Sequence, residues 1–143
     1  MRQEFFSFPK KKRQRIIFQI REALEREPNI VFAYLFGSFL DDLFFRDIDI
    51  GIYLKSIKEE EAPSYEEKLA FFLHRMLRIP PEMVDTRVLN FVSSTFLGHV
   101  FCRGLLLFTR DEIFLTDLIE RASEEMLADE HIARQSLREL VSR

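Results

Sequence analysis

The residues whose types and spacing are best suited to chemistry lie between Gly37 and Asp49. A Gly37-Ser38 pair ends one apolar run, and Asp47 and Asp49 flank Ile48 at the start of the next. Because side chains alternate along a strand, the two aspartates are expected to share one face. Neighbouring carboxylates repel each other and favour a bound cation, and ligation by oxygen alone suits Mg²⁺ or Mn²⁺. The segment therefore predicts a divalent cation site and, with it, phosphate chemistry.

A third carboxylate completes this candidate site. Apart from the first pair, Asp85 is the only acidic residue in the interior of a predicted strand, and burying an unpaired carboxylate is costly unless something compensates it. If that strand lies beside the strand of Asp49, three carboxylates converge. Gly37 allows a close approach of the backbone to a phosphate, while Ser38 and exposed N–H groups donate hydrogen bonds to it.

Hydrophobic periodicity predicts the elements that position these residues. The pattern indicates helices over 10–27, 65–77 and 94–103 and strands over 30–36, 47–54, 83–91 and 105–108. Residues 38–46 are expected to form a loop or a short helix. Beyond Asp111, the pattern fits one long helix or two helices with a break near 128–129.

This order of elements predicts an α/β (α+β) fold with one small mixed β-sheet and flanking helices. Residues 1–143 fit a single domain, with a core over about 30–110 and a C-terminal helical segment over 111–143. The 38–46 connection is too short for the crossover that parallel pairing needs. The first two strands are therefore expected to be antiparallel.

Composition narrows the class of protein. The hydrophobic share of 47% excludes intrinsic disorder, and 16 Phe with no Trp predict a Phe-rich core. A net charge of -3 argues against direct nucleic-acid binding, because such affinity comes mainly from clustered positive charge. No signal peptide and no membrane-spanning run is recognisable, which predicts a cytoplasmic protein without a membrane partner. The single Cys102 is expected to be a small core residue.

Several other side chains carry open interpretations. Arg87 shares the predicted face of Asp85 and is expected to pair either with the carboxylates or with phosphate. The basic residues 10–13 and 15 are expected to form a solvated helix face, with contact to a phosphate or an acidic partner as the alternative. The phenylalanines at positions 39, 44 and 45 are expected in the core, with stacking on adenine or a partner-facing patch as alternatives. The three histidines show no ligand spacing and are expected to serve packing or to lie at the surface.

Three segments together resemble a known family. Residues 35–39, 47–50 and 84–90 read LFGSF, DIDI and VDTRVLN, and they resemble the minimal nucleotidyltransferases of the DNA polymerase beta superfamily. The resemblance is closest to the MNT-type antitoxins of HEPN/MNT toxin–antitoxin pairs. It implies the nucleotidyltransferase fold and the transfer of AMP from ATP to a tyrosine of a HEPN-type toxin, with Mg²⁺ as the cofactor.

The resemblance also implies a role for each site residue. Gly37 and Ser38 would bind the ATP phosphates. Asp47, Asp49 and Asp85 would bind Mg²⁺ and form the catalytic centre. Asp85 would in addition activate the acceptor hydroxyl as a general base.

Two alternatives to protein adenylylation remain open. Only eight residues, 39–46, separate the Gly-Ser pair from the Asp-x-Asp pair, and Asp41 and Asp42 add negative charge there. A short acidic loop favours a non-catalytic antitoxin that neutralises its partner by occlusion. The other alternative is a transferase for a small-molecule acceptor, which shares the same metal site. Whether the protein forms homo- or hetero-oligomers is left open by the sequence.

Overall fold

The structure is a computed structural model, which describes residues 5–41 and 45–141. Five helices and four strands alternate along these residues, with short 3₁₀ turns at 59–61, 81–83 and 89–91. They are α1 (Lys10–Glu25), β1 (Ile30–Phe36), α2 (Ser38–Asp41), β2 (Ile48–Leu54), α3 (Ala62–Leu77), β3 (Val84–Val88), α4 (Ser94–Arg103), β4 (Leu105–Thr109) and α5 (Glu112–Val141).

The four strands form one mixed sheet in the order β3-β2-β1-β4. Strand β1 is antiparallel to both β2 and β4, whereas β2 and β3 are parallel. The parallel pair is connected through α3, which supplies the long crossover that such pairing requires. The predicted α/β fold with a small mixed sheet is confirmed, as is the antiparallel pairing of the first two strands.

Helices cover both faces of the sheet. On one face, α1 and α3 pack against the isoleucines of β2, which are fully buried. On the other face, α4 and the first half of α5 pack against Phe32, Tyr34 and Leu89. The even-numbered residues of β2 therefore point toward α1 and α3, and its odd-numbered residues point toward the opposite face.

Hydrogen bonds from α3 and from Asn90 hold this parallel pair toward the C-terminal end of its strands. On α3, the backbone carbonyl of Glu66 accepts a hydrogen bond from the Thr86 hydroxyl (2.5 Å), and its carboxylate accepts one from the Val88 N–H (2.7 Å). Asn90 exchanges two hydrogen bonds with the backbone of Leu54, at 2.9 and 2.8 Å. These bonds satisfy the N–H of Val88 on the edge strand β3 and the backbone of Leu54 on β2, and they hold β3 beside β2.

Some element boundaries differ from the prediction. Helix α1 ends at Glu25, β2 starts at Ile48, and β3 covers only 84–88 because 3₁₀ turns flank it. Of the two predicted arrangements after Asp111, the single helix is the one observed. Cys102 is exposed, so its predicted core position is wrong; it lies on the solvent side of the amphipathic helix α4.

Candidate functional site

Asp49 and Asp85 lie side by side on the parallel strands. The register of β2 and β3 pairs these two residues directly, near the first residue of each strand. Both project toward the side of the sheet that carries α4 and α5, because their neighbours Ile48, Ile50 and Val84 are buried on the other side. Asp49 is half-buried, and Asp85 is exposed. The third predicted strand therefore lies beside the strand of Asp49, which is the condition for Asp85 to join the site.

The two carboxyl groups interact strongly. Burial, the neighbouring charges of Asp85 and Asp47, and a side-chain hydrogen bond to Asp85 together raise the pKa of Asp49 to about 7. Arg87, which lies on the same strand face as Asp85, lowers this pKa and so opposes the shift. A carboxyl pair that retains a proton near neutral pH is a place where a cation can replace that proton.

Gly37 brings the Gly-Ser turn against this pair. It follows the last residue of β1 and has a φ of +83°, in the left-handed region that glycine adopts without strain. A Cβ atom at this position would overlap Oδ2 of Asp49. Glycine is thus required both by the backbone conformation and by the close approach of the carboxylate.

Ser38 and Asp47 lie at the two ends of the connection between β1 and β2. Ser38 opens α2, and its Oγ accepts a 3.4 Å hydrogen bond from the N–H of Arg46. Asp47 is half-buried just before β2 and acts on Asp49 through its charge. Within 5–41 and 45–141, however, no three His, Cys, Asp or Glu side chains are close enough together to form a complete metal site.

The donor chemistry nevertheless fits a hard divalent cation. The side chains nearest to each other are carboxylates, which Mg²⁺ prefers, and burial, followed by the negative charges of Asp85 and Asp47, raises the pKa of Asp49. Because Gly37 has no side chain, it leaves the space next to Oδ2 of Asp49 open. The carboxyl groups present are therefore suited to bind a divalent cation.

An arginine and an aromatic ring border the carboxyl pair. The guanidinium of Arg87 lies 5.3 Å from the ring centre of Phe96 on α4, and this ring contacts Phe36 edge-on at 5.8 Å. Arg87 therefore acts on Asp49 through its charge and stacks on Phe96, and its two predicted roles, pairing with the carboxylates or with phosphate, stay predictions. Sequence reasoning missed Phe96, because its spacing in α4 is that of an ordinary packing residue.

The aromatic residues of the loop are not available for stacking on a base. Phe39 and Phe45 are 1% and 0% exposed, and their rings contact each other at 4.8 Å. For these two residues the core interpretation is confirmed, and the alternatives of adenine stacking and a partner-facing patch are wrong. Phe44 and Asp42, and the side chain of Asp41, lie outside the described residues. His74 is half-buried on α3 with a ring nitrogen 3.3 Å from the carbonyl of Ile79, whereas the other two histidines are exposed.

No helix within the described ranges has the length and apolarity needed to cross a membrane. No curated protein matches the chain.

Solved structures show the same fold. The tri-AMPylated Shewanella oneidensis HEPN toxin in complex with MNT antitoxin contains a chain that matches with a TM-score of 0.64 and 20% identity, over 92% of this chain and 99% of that one. The toxin–antitoxin MntA-HepT matches with a TM-score of 0.59 and 20% identity, over 94% and 100%. A toxin–antitoxin structure with AMP-PNP matches with a TM-score of 0.62 and 21% identity, over 89% and 98%. At these identities, the likeness establishes the fold.

The sequence itself identifies the family. Residues 19–113, which are more than half of the chain, match the family described as "Polymerase beta, Nucleotidyltransferase". The matched range contains β1 to β4 and therefore the Gly-Ser turn and all three aspartates of the candidate site. The sheet, the turn against Asp49 and this match agree, and the chain belongs to the polymerase beta nucleotidyltransferase family.

Proposed function

We propose that this protein is a Mg²⁺-dependent nucleotidyltransferase that moves AMP from ATP to a tyrosine hydroxyl of a HEPN-type toxin, and thereby acts as its antitoxin. The observation that carries the proposal is the Asp49–Asp85 pair, which lies against the Gly37 turn. Membership of the family supports nucleotidyl transfer in general. The acceptor and the antitoxin role are the more specific parts of the proposal.

In this proposal Asp47, Asp49 and Asp85 hold Mg²⁺, although the first of them lies just outside β2. When bound, the ion neutralises negative charge on the triphosphate and on the leaving pyrophosphate. Asp49 must lose its proton to take part, because a protonated carboxyl group is a poor ligand for a hard cation. Phosphate binding and proton transfer are the tasks of the protein's own residues.

The Gly-Ser turn is suited to the β and γ phosphates. Gly37 has no side chain that would block the approach of a phosphate to the backbone, and Ser38 offers a hydroxyl donor beside it. Arg87 supplies positive charge next to the carboxyl pair, where it can contact a phosphate oxygen.

The transfer step requires one proton acceptor. The tyrosine oxygen attacks the α-phosphorus of ATP, the bond from that phosphorus to the bridging oxygen of the β-phosphate breaks, and pyrophosphate leaves with the electron pair. Asp85 takes the proton from the hydroxyl, since its carboxylate is exposed to an approaching acceptor while Asp49 is half-buried. The phenolic proton thus ends on Asp85, and AMP ends on the tyrosine.

The choice of acceptor rests on the solved structures of similar fold. One of them contains a tri-AMPylated HEPN toxin with an MNT antitoxin, and another toxin–antitoxin structure contains AMP-PNP. The chain covers 99% and 98% of the matched chains. The same chemistry on this chain would modify its own HEPN-type partner.

Intact-mass spectrometry of the partner tests the proposal. The protein is mixed with a HEPN-type toxin, ATP and MgCl₂, and the toxin is weighed before and after. We expect the added mass of one or more adenylyl groups on a toxin tyrosine, and none when EDTA replaces MgCl₂ or when the α,β-methylene analogue of ATP replaces ATP. A stable complex with an unmodified toxin would favour occlusion instead. Transfer only to an added small hydroxyl compound would favour the small-molecule alternative.

A further inference from the structure

The N-terminal arm, residues 5–9, and Arg13 of α1 contact both ends of the connection that carries Ser38 and Asp47. The arm precedes α1 and pairs with Phe45 through two backbone hydrogen bonds to Phe6, of 2.7 and 2.9 Å. Phe45 stands two residues before Asp47. The arm is therefore joined to the chain immediately ahead of a proposed metal ligand.

Aromatic packing reinforces this join. The ring of Phe45 is fully buried and contacts Phe8 edge-on at 5.1 Å, Phe6 at 6.2 Å and Phe39 at 4.8 Å. Edge-to-face aromatic pairs of this kind fix the relative orientation of their rings as well as their distance. Phe39 directly follows Ser38, so the same cluster holds the chain at both ends of the connection.

Arg13 links the cluster to α1. Its Nη1 donates a 2.6 Å hydrogen bond to the carbonyl of Phe39, and its guanidinium lies 5.3 and 5.2 Å from the ring centres of Phe39 and Phe45. A planar guanidinium suits this position because it stacks on aromatic rings and donates hydrogen bonds in a fixed direction. A lysine ammonium keeps the charge and can donate a hydrogen bond, but it cannot stack as a plane. The basic run at 10–13 is thus not merely a solvated helix face.

From these contacts we infer that Arg13, together with the N-terminal arm, positions the Gly-Ser turn and Asp47 for nucleotide binding. Arg13 is a positioning residue: it acts through the Phe39 carbonyl and the Phe45 ring. The inference rests on the proposed function, in which Ser38 binds phosphate and Asp47 binds the metal. Arg13 takes no part in the strand pairing itself, which joins the backbones of β1, β2 and β3.

The test is calorimetric binding of AMP-PNP in the presence of MgCl₂ to four folded proteins. They are the wild type, Arg13→Ala, Arg13→Lys and the matched control Arg15→Ala, whose side chain is exposed on the same helix. We expect Arg13→Ala to raise the Kd about tenfold, Arg13→Lys to recover part of the loss, and Arg15→Ala to leave Kd unchanged. Each titration is run well below the thermal midpoint of the variant, with circular dichroism as the check on folding.

A purely structural role for Arg13 gives a different pattern. It would lower the thermal midpoint of Arg13→Ala and leave the Kd of the folded protein at the wild-type value, and this result would overturn the inference. Failure of the wild type to bind Mg²⁺ and AMP-PNP would instead refute the proposed function. If Arg13→Ala does not fold, Phe45→Leu tests the same point, because it keeps an apolar side chain but removes the ring under the guanidinium.

Discussion

At the scale of single residues, Gly37 is constrained both by its backbone conformation and by the side chain of Asp49 beside it. We expect Gly37→Ala to destabilise the fold by about 2 kcal/mol or more, because the left-handed φ and the clash with Asp49 both oppose a Cβ atom. Chemical denaturation measures this change. Gly98→Ala is the control, since a Cβ there meets the flexible side chain of Met126. Equal stability of Gly37→Ala and wild type would contradict the close approach of this turn to Asp49.

The raised pKa of Asp49 predicts a pH dependence of stability. Its pKa rises from 3.8 to about 7, so the folded state holds more protons than the unfolded state between these values. The contribution of this group is therefore present below about pH 4 and is lost as pH rises to about 7. We expect Asp49→Asn to be more stable than the wild type at pH 8 by about 1 kcal/mol, a value reduced for partial solvation.

Denaturation series from pH 4 to pH 8 in metal-free buffer measure this difference. The gap between Asp49→Asn and the wild type should widen with pH and level off above about 7. A gap that stays constant with pH would show that Asp49 does not carry the shifted proton. With MgCl₂ present, the apparent affinity for the ion should rise with pH over the same range, since the proton and the cation compete for Asp49.

At the scale of elements, β3 depends on α3 for its position. Glu66 holds Thr86 and Val88, which alternate with Asp85 and Arg87 along the strand. We expect Glu66→Ala to cost about 1 to 3 kcal/mol, because it leaves the Val88 N–H without its acceptor. The exposed neighbour provides a matched control in Glu67→Ala, which should change stability little. Equal thermal midpoints for the two variants would rule out this anchoring role.

Several elements could be predicted from sequence because their pattern is local. The uninterrupted apolar run at 30–36 and the alternation after Asp47 indicate strands whatever their partners are. The register that places Asp49 opposite Asp85 depends on α3, Glu66 and Asn90, which are distant in sequence. Arg13 was also missed as a site-related residue, since nothing in the basic run reveals that only this side chain meets Phe39 and Phe45.

At the scale of the whole molecule, α5 continues beyond the body of the domain. Leu115 and Ala122 are buried against the sheet and α4, whereas every residue from 127 to 141 is exposed. We expect truncation after Ala128 to change the free energy of unfolding by less than about 1 kcal/mol, because few tertiary contacts are lost. Denaturation with urea measures it. Loss of cooperative unfolding in the truncated chain would show that this part of α5 supports the core.

The most direct test of the proposed transferase site is the movement of label from α-³²P-ATP to a HEPN-type toxin. The wild type, Asp85→Asn and the surface control Asp117→Asn are compared under the same conditions with MgCl₂, after circular dichroism has confirmed that each is folded. Asp117 lies exposed on α5. We expect label on the toxin with the wild type and with Asp117→Asn, and a loss of at least about a hundredfold with Asp85→Asn. An unlabelled toxin with the wild type, or undiminished labelling with Asp85→Asn, would contradict the assignment of this site.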